Sequence, residues 1–189
     1  MTNTRNDLRQ GILWKQILFF SLPIAATSML QQLFNSADVA VVGRFSAQKD
    51  LALAAVGSTS SVVNLFITII TGLAVGANVV IARSIGASDE KRDRQAVHTA
   101  LILSLLCGAI LLVLGECIAL PLLEIMDPPS DIIGLAGKYL RIYMLGVFFQ
   151  TIYNFEASIL RANGDTRRPL FCLIFSGAVN VVLNLVFVI

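Results

Sequence analysis

A lone carboxylate stands at the end of a long uncharged stretch. No residue from Gln16 to Ala37 is charged; Asp38 follows, and the apolar run Val39-Ala40-Val41-Val42 lies beyond it. Thr27, Gln31, Asn35 and Asp38 are spaced four, four and three apart, which places all four on one face of a helix. An acid flanked by amides can bind and release a proton or a small cation, because amide carbonyls coordinate and amide N–H groups donate. In hydrocarbon such an acid is costly and by default marks an ion or proton pathway. The competing reading is an interfacial acid near the outer end of its helix, roughly 30 Å above Gln16 at 1.5 Å per residue. The apolar residues after Asp38 favour the site. Amides repeat the four-residue spacing at Gln150 and Asn154, and again at Asn180 and Asn184. Taken singly, each reads first as interhelical glue, worth about 0.6 kcal/mol on average.

Other reactive side chains carry less. Glu156 lies five residues before Arg161 and can snorkel or pair with a loop base. His98, the sole histidine, falls at the start of an apolar run, where an interfacial role competes with proton handling. Glu116 reads as lying just beyond the third apolar run. Cys107, Cys117 and Cys172 show no CxxC spacing and read as packing residues. There is no metal-ligand pair of histidines, no GxSxG and no P-loop. The expectation is therefore a protein that is not an enzyme, with no metal and no cofactor. Without nucleotide machinery, any pumping must draw on an ion gradient.

The elements that would hold these residues are long and apolar. Of 189 residues, 56% are hydrophobic and 14% charged, against about 25% charged in soluble domains; mean hydropathy is +0.79. That composition indicates a membrane protein, and a net charge of +2 is too small to suggest a nucleic-acid partner. Five apolar runs predict an all-α, polytopic bundle with helices near 12–43, 51–82, 97–115, 139–160 and 169–189. No run alternates with period two, and backbone in lipid must satisfy its own hydrogen bonds, so helices are expected. The further long runs also argue against a cleaved signal at the N-terminus.

Basic residues give a direction. Arg5, Arg9, Lys15, Arg83, Lys91, Arg92, Arg94, Arg161, Arg167 and Arg168 make ten on one side; Arg44, Lys49, Lys138 and Arg141 make four on the other. The positive-inside rule then places the N-terminus in the cytoplasm of a multi-pass plasma-membrane protein. The segment Asp127-Pro-Pro-Ser-Asp131 reads as an outer turn. Pro23 removes a backbone hydrogen bond and predicts a kink in the first helix. The fifth run reaches Ile189 without a polar cap, so residues 1–189 are expected to be part of a longer chain.

Two connections begin alike, "RSIGASDEKR" from Arg83 and "RANGDTRRP" from Arg161, with a glycine suited to a helix C-cap in each. Together with Pro23, "FNSADVAVVGR" (34–44), "LALAAVGS" (51–58), "GLAVGANVVIARSIGASD" (72–89), "ILRANGDTRRP" (159–169) and "NVVLN" (180–184), they carry a resemblance. The chain resembles the N-terminal part of the multidrug and toxic compound extrusion (MATE) transporters, across residues 10–189.

The resemblance implies a six-helix N-terminal lobe, of which these would be helices one to five, and a missing C-terminal lobe. It implies export of organic cations, drugs or other amphiphiles against inflow of protons or sodium, within a lipid bilayer. It makes Asp38 an ion-coupling residue, joined by Asn154, Asn180 and Asn184, with Gln31, Asn35 and Gln150 lining the cavity. Many relatives have aspartate where this chain has Asn184, which leaves the choice of coupling ion open, with a lean towards protons. Two alternatives remain. A lipid-linked oligosaccharide flippase of related architecture would be expected to line its cavity with arginines, whereas Gln16–Gly43 and Leu51–Ala82 carry no Arg or Lys. A non-transporting scaffold subunit would need no intramembrane acid and would show small-xxx-small seams; Gly72 and Gly76 have that spacing, and packing there is expected under either view.

Overall fold

The computed structural model describes residues 13–45, 49–87, 90–126 and 128–188. They form five helices: α1 (Leu13–Phe45), α2 (Lys49–Gly86), α3 (Glu90–Ile125), α4 (Ile133–Ala162) and α5 (Arg167–Val188). The all-α reading holds, and no strand occurs among the described residues. Segments of three helices, Trp14–Arg44, Asp50–Gly86 and Glu90–Ile125, are long and apolar enough to cross a membrane. Arg5, Arg9, Asp89 and Asp127 lie outside the described residues.

The helices run past the apolar segments into charged sequence. α3 begins at Glu90 and takes in Lys91, Arg92 and Arg94 before its apolar part. At its other end it continues through Pro121 to Ile125. Glu116, expected just beyond the third span, therefore lies within the helix, and Cys117, read as a packing residue, is exposed on it. Continuing the helix keeps backbone groups paired where charged side chains already reach water.

α3 and α4, and α2 and α4, form the broadest helix contacts; α1 lies mainly on α5, and the sequential pair α4 and α5 touch least. The seam of α3 is built from small residues. Ala100, Ser104, Gly108, Leu111, Gly115, Ala119 and Leu123 are all buried, and they recur every three or four positions on one face. A Cβ on Gly115 would stand 2.7 Å from Met144 Sδ, and one on Gly108 would stand 3.0 Å from the Phe148 ring. Apolar side chains gain little by leaving lipid for protein, so this close approach is what holds the helices together. Gly72 and Gly76, expected to form such a seam, have nothing within 4 Å of where a Cβ would be. They face away from the neighbours in this bundle.

Buried hydroxyls satisfy themselves along their own helices. Thr59 donates to the Ala55 and Val56 carbonyls, Thr151 to Val147 at 2.8 Å and Ser104 to Leu101 at 2.7 Å. The amide of Asn78 reaches across, donating to the Ser158 carbonyl at 2.8 Å and tying α2 to α4, and the Tyr153 hydroxyl donates to the Pro169 carbonyl at 3.3 Å, tying α4 to the start of α5.

The turn between α4 and α5 follows its sequence closely. Gly164 has φ 84°, the left-handed conformation that glycine adopts without strain. Asp165 N–H donates to Leu160 O and Gly164 N–H to Arg161 O, the paired bonds of a Schellman motif. Asp165 then caps α5, accepting from the N–H groups of Arg167 and Arg168 at 3.2 and 3.1 Å. The matching glycine after Arg83 differs: Gly86 remains the last residue of α2, and Gly164 is the glycine with positive φ among the described residues. The expected C-cap is thus formed in one connection and not in the other.

Candidate functional site

Asp38 and the two asparagines of α5 come together although 146 positions separate Asp38 from Asn184. Asn184 Nδ2 lies 2.6 Å from Asp38 Oδ1 and 3.2 Å from Asn180 Oδ1. The sequence accounts for this locally. Asn180 and Asn184 are one turn apart on α5, so their amides stack, and the α1 residue one turn before Asp38 sets the register. That residue is Phe34, whose ring lies against Gly177 where a Cβ would stand. Phe34 on Gly177 and Asp38 beside Asn184 make α1 and α5 run parallel, as expected of two helices separated by three intervening helices in an up-and-down bundle.

Asp38 is half-buried. Its carboxylate accepts from an amide, not from a base, and no ion pair among the described residues involves it. A carboxylate has about four lone-pair positions, and the amides of Asn184 and Asn180 beside it leave capacity for a proton or cation. The carbonyl oxygens of Asn180 and Asn184 are further neutral ligands of the kind hard cations accept. Three oxygen-bearing side chains on two helices are therefore available to one small ion.

The remaining predicted residues are placed elsewhere. Asn154 is half-buried and donates to the Gln150 carbonyl of its own helix at 2.8 Å, so it is not drawn into the Asp38 group. Gln150 accepts from the Tyr143 hydroxyl at 3.4 Å. Gln31 and Asn35 are exposed on α1, while Thr27 is buried and donates to the Pro23 carbonyl at 2.8 Å. α1 continues as one helix through Pro23, which has no N–H to offer the Phe19 carbonyl. Glu156 and His98 are both exposed.

Two residues escaped the sequence reading. Tyr139 is an electrostatic neighbour of Asp38, and its ring lies 6.3 Å from that of Tyr143. Tyr139, Tyr143, Gln150 and Asn154 are spaced four, seven and four apart, a polar stripe on α4. The spacing is visible in the sequence; tyrosines there read equally well as interfacial aromatics.

A bundle of long helices, three of them with segments apolar enough to cross a membrane, defines the class, a polytopic helical membrane protein. The chain matches the MatE family over residues 23–186, and it belongs to that family. It is 32% identical over 186 residues to the probable multidrug resistance protein YpnP of Bacillus subtilis, covering 96% of this chain and 40% of that protein. It is 30% identical over 173 residues to the probable multidrug resistance protein YoeA of the same organism, covering 90% of this chain and 36% of that one. The fold aligns with an outward-facing multidrug resistance MATE transporter of the MOP superfamily at TM-score 0.88 and 30% identity, over 99% of this chain and 41% of that one. The chain thus spans about two-fifths of the length of the relatives it matches.

Proposed function

We propose that this chain forms part of the N-terminal lobe of an ion-coupled efflux transporter, with Asp38 as the coupling acid. The observation that carries the reading is the 2.6 Å contact between Asn184 and Asp38: the one acid of the first two apolar runs is met by amides from a distant helix. Asp38, Asn180 and Asn184 would share the coupling ion, a proton or sodium. Asn154, with Gln150, Gln31 and Asn35, would line the path beside them. Cycling the ion on and off Asp38 changes the charge of the α1–α5 contact, the broadest that either helix makes, while the pair is joined more narrowly to α2 and α4. The bend expected at Pro23 gives α1 a place to respond.

The substrate class we infer is a cationic or amphiphilic organic molecule, consistent with the multidrug resistance names of the relatives, with a cavity completed by the remainder of a longer polypeptide. The N-terminus and the connections after α2 and α4 would face the cytoplasm of a plasma-membrane protein. Transport fits this site, since the acid Asp38 is met by the Asn184 amide with Tyr139 nearby. The test is efflux of a fluorescent organic cation from proteoliposomes containing the complete polypeptide, under an imposed pH or sodium gradient. Efflux that proceeds equally with no gradient would reject ion coupling.

A further inference from the structure

A hollow of about 560 Å³ lies on α3, and the described residues that line it are Lys91, Arg94, Gln95, His98, Thr99 and Ile102. These positions fall at intervals of three, one, three, one and three, so they form one stripe along the helix. Two permanent cations, an imidazole, an amide and a hydroxyl all present donors on that stripe. The acids of the same turns, Glu90 and Asp93, fall outside it. Among the described residues neither Lys91 nor Arg94 has a carboxylate partner.

The stripe continues in a different chemistry. Beyond Ile102, which is exposed, the same face passes through Leu105, Leu106, Ile110 and Val113, all exposed and apolar. The segment Glu90–Ile125 is long and apolar enough to cross the membrane. The donors therefore sit where the helix leaves hydrocarbon, directly above a face suited to acyl chains. We propose that this stripe of α3 binds an anionic phospholipid, with Lys91 and Arg94 on the headgroup phosphate and Leu105 and Leu106 along its chains. A soluble anion would use the donors and have no use for the apolar face below them. This assignment depends on α3 crossing the membrane and is independent of which ion drives transport.

The experiment is native mass spectrometry of the complete polypeptide extracted from bilayers containing equal phosphatidylglycerol and phosphatidylcholine. The parent should retain phosphatidylglycerol preferentially. The Lys91→Gln/Arg94→Gln double variant should lose that preference by about 30-fold, the effect of two interfacial cations near an anionic lipid. Lys91→Arg/Arg94→Lys, which keeps both charges and folds under the same constraints, should retain it. Lys138→Gln, at an exposed base on another helix, should leave retention unchanged. The proposal is overturned if the double variant holds phosphatidylglycerol as the parent does, if phosphatidylcholine is held equally, or if millimolar inorganic phosphate displaces the lipid, which would identify a soluble-anion site.

Discussion

Asn184 donates its amide hydrogen to the Asp38 carboxylate across 2.6 Å, while also reaching the Asn180 carbonyl at 3.2 Å. One amide thereby connects the acid of α1 to a second oxygen ligand on α5. Any ion that takes the place of that hydrogen must find its ligands among these same three side chains, and the first consequences concern them.

Asp38→Asn keeps the shape and polarity of the side chain and removes its charge. Gradient-driven efflux should fall to background, while membrane insertion and helix content stay at parental levels. Asp38→Glu should keep part of the activity, since the charge remains about one methylene further out. The measurement is dye efflux from proteoliposomes with matched protein. Parental efflux by Asp38→Asn under both a pH and a sodium gradient would return Asp38 to the status of an interfacial acid.

Asn184→Asp replaces the donor by a second carboxylate beside the first. Two acids this close do not both remain ionised without a proton or cation between them. Efflux should persist and become more dependent on sodium or on the proton gradient. Asn184→Ala, which supplies neither donor nor oxygen, should lower efflux under both gradients. Identical ion dependence of Asn184→Asp and the parent would place the coupling ion away from α5.

The glycines separate by environment. Gly115→Leu drives a side chain into Met144, whose sulfur already stands 2.7 Å from an added Cβ. Overpacking of this kind costs about 1–3 kcal/mol, so the melting temperature in detergent should drop. Gly72→Leu and Gly76→Leu meet nothing within 4 Å and should leave the stability of these five helices unchanged. Equal melting temperatures for Gly115→Leu and Gly72→Leu would contradict the packing of α3 on α4.

Orientation is open to labelling. In a background lacking Cys107, Cys117 and Cys172, a cysteine at Ala87 or Asn163 should be shielded from an impermeant thiol reagent applied to intact cells. A cysteine at Ser130 should react. The expectation rests on the ten-to-four division of basic residues, and labelling of Ala87 from outside would invert the topology.

The sequence by itself determined the helical membrane class, the presence of five helices and the identity of the one acid worth following. Each of these depends on composition or on local periodicity, which a chain carries whatever its partners. Even the Gly164 turn and its Asp165 cap are local, although the same Arg-x-x-Gly motif at Arg83 leaves Gly86 within α2. What surrounds Asp38 is another matter. Asn154, Asn180 and Asn184 are alike in type and in spacing to a neighbouring amide, yet only the α5 pair meets the acid. The parallel register of α1 and α5, set where Phe34 lies on Gly177, brings Asn184 to it. Asn154 turns to its own backbone because α4 packs chiefly on α2 and α3. The same geometry chose Gly108 and Gly115 over Gly72 and Gly76 for helix packing, and brought in Tyr139. Small residues and amides permit contact wherever they occur; which of them are used is decided by which helix faces meet, and that is fixed only when all five pack together.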